Sequence, residues 1–217
     1  MIKRTSRYYI LDQLKQNPQW SVVDLGCGKN GFCELADVFV DINDWSESVP
    51  GKKFVIHDVN SLPLPFKDNE FDFCWASHIL EHVNDPIAFL KEVQRIAKNG
   101  YIEVPTPLAD NLVSGDDRHD PFGHKWWVYF DDPALELLLR PRRHIVHKTV
   151  DTYECNKLYP FFRSSIVVEL EWAGSIEASL ADEKYFYENT HYDLSKEGPE
   201  TWILGSSILM RVTGQQR

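Results

Sequence analysis

Positive charge is in short supply in this sequence: 23 Lys and Arg stand against 33 Asp and Glu, for a formal net charge of −10. Non-specific nucleic-acid affinity comes mainly from Lys and Arg contacts with phosphates, so a polyanion binder is disfavoured. The densest basic stretch, "RPRRH" (140–144), reads as a solvated turn. Cysteine is sparse too. Cys27, Cys33, Cys74 and Cys155 form no C-x-x-C pair and no framework spacing, which excludes a disulfide scaffold and suits free thiols in a reducing compartment. No apolar run approaches the roughly 18 residues that would suggest a membrane span. The opening "MIKRTSRYYI" has basic residues but no apolar stretch behind them, so no signal peptide is expected and the expected location is cytoplasmic. Repeats and low-complexity linkers are absent as well. What remains is an ordinary globular composition, 43% hydrophobic and 26% charged over 217 residues, enough for a single domain with a sizeable core.

The first half of the chain alternates between two patterns. "RYYILDQLKQNP" reads as a helix with Tyr8, Leu11 and Leu14 on one side, stopped by Pro18. "WSVVDLG" (20–26), "ADVFVD" (36–41), "KKFVIHD" (52–58), "FDFCWAS" (71–77) and "GYIEVPTP" (100–107) read as successive buried strands. Before the last of these, "DPIAFLKEVQRIAKNG" has Ile87, Leu90, Val93 (or Gln94) and Ala97 at helical spacing, with Gly100 as the expected stop. Strands alternating with helical or turn segments imply an α/β fold with a mostly parallel sheet. Ligands of such sheets bind at the carboxyl ends of the strands. Polar residues collect there: Asp24 with Gly26 and Gly28, then Asp41, Asp58 and Ser77.

"GCGKNG" (26–31) spells G-x-G-x-x-G, a pattern that also suits NAD(P)-dependent oxidoreductases. Asp24 argues against a pyrophosphate in that loop. A carboxylate about 5 Å from such an anion would cost roughly 3 kcal/mol at an effective dielectric near 20. An ammonium-bearing ligand without phosphate would be favoured, and S-adenosylmethionine is one. Asp41 is then placed to accept from ribose hydroxyls and Asp58 to meet the adenine amino group.

The stretches "VVDLGCGKNG", "VFVDI", "IHDVNSLPLPF", "FDFCWASHILEHVNDP" and "LKEVQRIAKNGYIEVP" follow in the order seen in a known family. Over residues 20–107 the chain resembles the class I S-adenosylmethionine-dependent methyltransferases. The resemblance implies a doubly wound, Rossmann-like sheet of seven strands, with 20–107 as the cofactor half of a single domain covering 1–217. It implies that Asp24, Gly26, Cys27 and Gly28 line the methionine and ribose side. Asp41 and Ile42 would serve the ribose, Asp58 and Val59 the adenine, and Ser77 the reactive end. Few residues separate Gly28 from the second strand, so the first crossover helix is expected to be short, around "GFCELA".

The second half (108–217) is read as the substrate side and the antiparallel end of the sheet. "HKWWVYFDDPALELLLRPR" (124–142) reads as a β-hairpin inserted after strand five, with Trp126, Trp127, Tyr129 and Phe130 either stacking on substrate or packing the hairpin down. "SSIVVELEWAG" reads as a strand with "SIEASL" pairing back to it, and "TWILGSSILMRV" as a strand or a helix.

Methyl transfer to a hydroxyl benefits from a general base. The candidates are His78, His82, Glu103, His119 and His124, with His82 and His124 preferred. "SHILEHV" (77–83) also spells H-x-x-E-H, an inverted zinc-peptidase signature, but it directly follows a strand of the cofactor sheet. With "RHDPFGHKWW" it is similar to the metal site of small-RNA 3′-end 2′-O-methyltransferases, and a related Glu-His pair occurs in some ubiquinone-pathway O-methyltransferases. That similarity implies a divalent ion on Glu81, His82 and His124 (or His119). His78 stands where that family has an acid, which favours an ion softer than magnesium. The metal is the lesser expectation; the alternative to it is that His82 caps and orients its segment near the cofactor. The expected activity is methylation of a small-molecule, glycan or lipid-precursor acceptor at oxygen. The alternatives are a metal-assisted RNA 2′-O-methyltransferase, an NAD(P)-dependent oxidoreductase and a non-catalytic cofactor-binding protein.

Overall fold

The computed structural model describes residues 1–114, 123–142, 150–151, 163–181, 200–204 and 209–213, with side-chain surroundings for 1–110, 123–142 and 163–181. The chain opens with β1 (Ile2–Arg4), α1 (Arg7–Gln16), β2 (Val22–Leu25), β3 (Val38–Asp41), β4 (Lys53–Ile56), β5 (Phe71–Ser77), α2 (Pro86–Ile96) and β6 (Ala97–Pro105). It continues with α3 (Pro107–Leu112), β7 (Val113–Ser114), β8 (Trp126–Asp131), β9 (Glu136–Pro141), β10 (Val150–Asp151), β11 (Val167–Ala173), β12 (Glu177–Leu180), β13 (Glu200–Leu204) and β14 (Leu209–Thr213).

Seven strands form the central sheet in the order β4-β3-β2-β5-β6-β11-β1. The pairings from β4 to β6 are parallel, while β11 runs antiparallel to β6 and β1 antiparallel to β11. The α/β sheet expected from the sequence is therefore present. Strand order reverses between β2 and β5, which opens the crevice where such sheets bind ligands. Alternation along each strand separates two cores. Val23, Val40, Ala76, Ile102 and Val104 pack with Phe89, Leu90 and Val93 of α2 and with Val128 and Leu139 of the hairpin. On the other face Val22, Phe39, Phe73, Trp75 and Tyr101 pack under Ile10 and Leu14 of α1.

Several expectations are corrected. The buried stripe of α1 is Ile10 and Leu14, whereas Tyr8 is 73% exposed. No helix joins β2 to β3, so "GFCELA" is not a crossover helix. The Asp24 carboxylate takes the Cys33 N–H at 2.6 Å, and Cys33 O accepts from Ala36 N at 3.0 Å, closing the segment as turns. Gly100 does not stop α2, because β6 starts at Ala97 and Gly100 lies inside it. It pairs with Cys74 and Trp172, and a Cβ there would sit 2.6 Å from Trp172 Nε1. The Cys74 carbonyl and the indole, both too close for a Cβ, explain this glycine.

The inserted hairpin is β8 and β9, in register from Trp126 opposite Pro141 to Asp131 opposite Glu136. Trp127 and Phe130 are buried, and Trp126 Nε1 donates to Val83 O at 2.8 Å, so three of the four aromatics pack the hairpin down. Residues 177–180 pair with β9 in parallel and not with β11. The stretch 201–212 is two strands, β13 and β14, paired antiparallel. Arg140 and Arg142 of the basic stretch are not solvated: Arg140 stacks on Trp127 at 5.6 Å, and Arg142 is half-buried with its Nε 3.6 Å from Asp110 Oδ2. Residues 143–144, His119 and Cys155 lie outside the described residues.

Candidate active site

Gly26 follows β2 with φ +69, its N–H donating to Val40 O at 2.8 Å, and a side chain there would meet Ile79 Cδ1 at 2.6 Å. Only glycine fits that left-handed, crowded position. Gly28, with φ +59, donates to Asp41 Oδ2 at 3.0 Å, and Asn43 N donates to Asp41 Oδ1 at 2.9 Å. Asp58 Oδ1 accepts from Asn60 N at 2.9 Å. These turns enclose a cavity of about 160 Å³ lined by Gly26, Asp41, Ile42, Asp58, Val59 and His82, among others. Asp24, Cys27, Gly28 and Ser77 are not among its lining. Asp24 is buried beneath the loop; burial pushes its carboxyl up to about 7, although the Cys33 N–H and the Arg7 charge act to lower it. The Cys27 thiol is buried and pushed up to about 12, so it is inert. Ser77 ends β5, opposite Glu103.

The segment after β5 is not the α-helix that its H-x-x-E-H spelling suggested. His78 has φ +54, its N–H donating to Glu103 O at 2.7 Å, and Leu80–His82 make one 3₁₀ turn. The peptidase reading fails here, since it needs both histidines on one face of a long helix. The ring of His78 is instead held away from the cavity: Nδ1 lies 3.2 Å from Glu81 Oε1 and Nε2 lies 3.1 Å from Glu103 Oε1. Burial works to lower the His78 pKa, but hydrogen bonds to Glu103 and Glu81 prevail and raise it to about 9. Glu103 is no base either. Burial acts to raise its pKa, but the His78 hydrogen bond and the Arg7 and His78 charges hold it near 2.

Glu81, His82 and His124 do converge, with one donor atom from each lying within 4.8 Å of the others. Glu81 is fully buried, and its Oε2 has no hydrogen-bond partner among the described residues. His124 arrives on the strand into β8, which Lys125 N ties to Glu81 O at 2.7 Å. Its Nδ1 donates to Asp110 Oδ1 at 2.7 Å, which turns Nε2 toward Glu81 Oε1 at 3.9 Å. The His82 and His124 rings meet edge to face at 4.6 Å. Burial lowers the His82 pKa, so its ring is neutral at neutral pH. Asp110 and Arg142 were missed in the sequence. No short motif links them to His124, because Asp110 comes from α3 and Arg142 directly follows β9.

Residues 3–154 match the family model described as a methyltransferase domain. The chain belongs to the class I S-adenosylmethionine-dependent methyltransferases. An uncharacterised protein of Methanocaldococcus jannaschii is 34% identical over 51% of this chain and 51% of its own length. Chloroplastic tocopherol O-methyltransferase of Arabidopsis thaliana is 29% identical over 81% of this chain and 58% of its own. The 2-methyl-6-phytyl-1,4-hydroquinone methyltransferase of Synechocystis is 25% identical over 64% of this chain and 45% of its own. The chain spans about half the length of the curated relatives it matches. With the family known and no helix following the glycine loop to meet a pyrophosphate, the oxidoreductase alternative falls. No described helix is long and apolar enough to cross a membrane.

Proposed function

We propose that this protein transfers a methyl group from S-adenosylmethionine to an oxygen of a small-molecule, glycan or lipid-precursor acceptor, with His82 taking the acceptor's proton. The carrying observation is the shared cavity: the strand-end residues Gly26, Asp41, Ile42, Asp58 and Val59 and His82 line one space. The resemblance to tocopherol O-methyltransferase and to 2-methyl-6-phytyl-1,4-hydroquinone methyltransferase supports an acceptor of the lipid-precursor kind.

The donor supplies an electrophilic methyl carbon on a cationic sulfur. Asp41 and Asp58 accept from ribose and adenine donors and so hold the nucleoside end. Positioning two reactants in line can supply roughly 7–11 kcal/mol of the barrier. Neutral His82 then accepts the hydroxyl proton as the acceptor oxygen bonds to carbon. Calorimetry is expected to show sub-millimolar binding of S-adenosylmethionine, weakened about 10- to 100-fold by Asp41→Ala, the size expected for hydrogen bonds to a charged group. Affinity should rise with pH through about 7, because a cationic ligand prefers the ionised Asp24. Binding of NADH alone, or indifference to Asp41→Ala, would sink the assignment.

One observation favours a metal-assisted variant of this chemistry: the partnerless, buried Glu81 Oε2 lies where His82 and His124 converge. Glu81, His82 and His124 fit a divalent ion of the first transition row, for which a carboxylate and two imidazoles are good donors. Asp110 accepts the Nδ1–H of His124 and so fixes its ring, as carboxylates behind metal-ligating histidines do. Such an ion would acidify an acceptor hydroxyl. Titration of the chelator-stripped protein with Mn²⁺ or Zn²⁺ should find one site that disappears in Glu81→Gln. Absence of uptake would leave His82 acting alone.

A further inference from the structure

Leu80–His82 is a single 3₁₀ turn with no side-chain cap at its start, and such a turn holds its own shape poorly. The segment that carries His82 is therefore fixed by its neighbours. Lys125 N donates to Glu81 O at 2.7 Å, and Trp126 Nε1 donates to Val83 O at 2.8 Å. Lys125 Nζ adds a bond to Asn84 Oδ1 at 2.7 Å. A further tie comes from the loop after β4, where Asn60 Oδ1 accepts the Asn84 N–H at 2.7 Å.

The other end of the Asn60 amide is engaged as well. Its Nδ2 and the Asn60 backbone N–H both donate to Asp58 Oδ1 at 2.9 Å. Asp58 Oδ2 has no hydrogen-bond partner among the described residues. A carboxylate accepts and a backbone N–H donates, so these two partners admit one orientation of the amide. Asp58, Asn60, His82 and Val83 line the same cavity. One side chain thus joins the carboxylate of the nucleoside end to Asn84, two residues beyond the base. We propose that Asn60 is a positioning residue for methyl transfer: it leaves Asp58 Oδ2 to the donor and, through Asn84, sets the segment that carries His82. A donor that steadies Asp58 also steadies Asn60 and its bond to Asn84, so donor binding and placement of the base are coupled. The two Lys125 bonds extend the same constraint to the hairpin. This rests on the donor assignment above.

The test needs no acceptor. Wild type, Asn60→Ala and Asn60→Asp are titrated calorimetrically with S-adenosylhomocysteine, and amide hydrogen exchange is followed by NMR without ligand and at saturation. Aspartate keeps an oxygen for the Asn84 N–H, but it has no side-chain donor for Asp58 and sets a second carboxylate beside it. Both variants are expected to bind S-adenosylhomocysteine about 10-fold more weakly. In the wild type the bound ligand should slow exchange of the Asn84 and Lys125 amides by about 10-fold. Asn60→Ala should lose both the protection of the Asn84 amide and its slowing by ligand. Asn60→Asp should keep the protection and lose the slowing. Unchanged affinity in Asn60→Ala, with faster exchange alone, would mean that Asn60 only holds the loop and overturns the proposal. Slowing that survives in Asn60→Ala, or that is missing in the wild type, overturns it too. Failure of the wild type to bind S-adenosylhomocysteine overturns the donor assignment first and this proposal with it.

Discussion

Replacing Glu103 with alanine is expected to cost about 3–5 kcal/mol of folding stability, the range found when one partner of a buried ion pair is removed. Glu103 on β6 stands directly opposite Glu169 on β11, and like charges in that position repel. The cations around them reverse the sign. Arg163 Nη2 reaches Glu103 Oε2 at 2.8 Å and Glu169 Oε1 at 2.9 Å, and Arg163 Nε reaches Glu169 Oε2 at 2.9 Å. His78 and Arg7 take the other Glu103 oxygen, and the Tyr101 hydroxyl donates into both carboxylates. Alanine would remove the carboxylate that Arg163, His78 and Arg7 share, in a site where Glu103 is only 1% exposed. The pH dependence follows from its depressed pKa. A carboxyl held near 2, below its ordinary 4.5, contributes stability that is fully present above about 4.5 and is lost as pH falls through about 2. Chemical denaturation should therefore show wild type losing ground to Glu103→Gln across that window. Equal stability of the two proteins at pH 7, or parallel curves below pH 4.5, would show that the network contributes nothing.

This network also explains why the chemistry sits where it does. His78 is drawn off to Glu81 and Glu103, and its left-handed backbone turns the chain sharply after β5. The turn carries His82 to the cavity wall five residues beyond the strand end. The buried charges on the α1 face and the base on the ligand side are thus set by the same few residues.

Much of this was legible in the sequence, because parallel strands buried on both faces appear as short apolar runs. "FDFCWAS" coincides with β5 at both ends. Asp41, Ile42, Asp58 and Val59 come together at the cavity because they follow neighbouring strands, and strand order places them. What stayed hidden depends on partners distant in sequence. β1 is three residues long and becomes a strand only by pairing with β11, with Ile2 opposite Trp172. The first crossover lost its helix to one side-chain bond, from Cys33 N to Asp24. Gly100 looked like a helix stop because the Trp172 indole that requires it lies on another strand. Asp110 could not be found at all: it meets His124 only after α3 and the hairpin have packed.

His82→Ala is expected to lower methyl transfer by about 10²–10⁴-fold, the usual contribution of a positioned general base. His82 lines the same cavity as the strand-end residues Asp41 and Asp58, and burial depresses its pKa below the ordinary histidine value. A base with a lowered pKa is already unprotonated at neutral pH. The rate should therefore fall only on the acid side, below the ordinary histidine range, and be flat across neutral pH. The assay is transfer of labelled methyl groups to a panel of phenols and hydroquinones, run for wild type and variant from pH 5 to 8. Affinity for S-adenosylhomocysteine should change little, because in the proposed assignment Asp41 and Asp58 hold the nucleoside end. His82→Gln separates the two roles open to this side chain. A glutamine keeps polar bulk but cannot accept the proton, so it should be as slow as alanine. If Glu81, His82 and His124 hold an ion, the loss would instead be accompanied by loss of metal uptake, and wild-type turnover would stop with chelator. A wild-type rate in His82→Ala would remove the base from the mechanism and leave positioning of the two reactants as the whole of the catalysis.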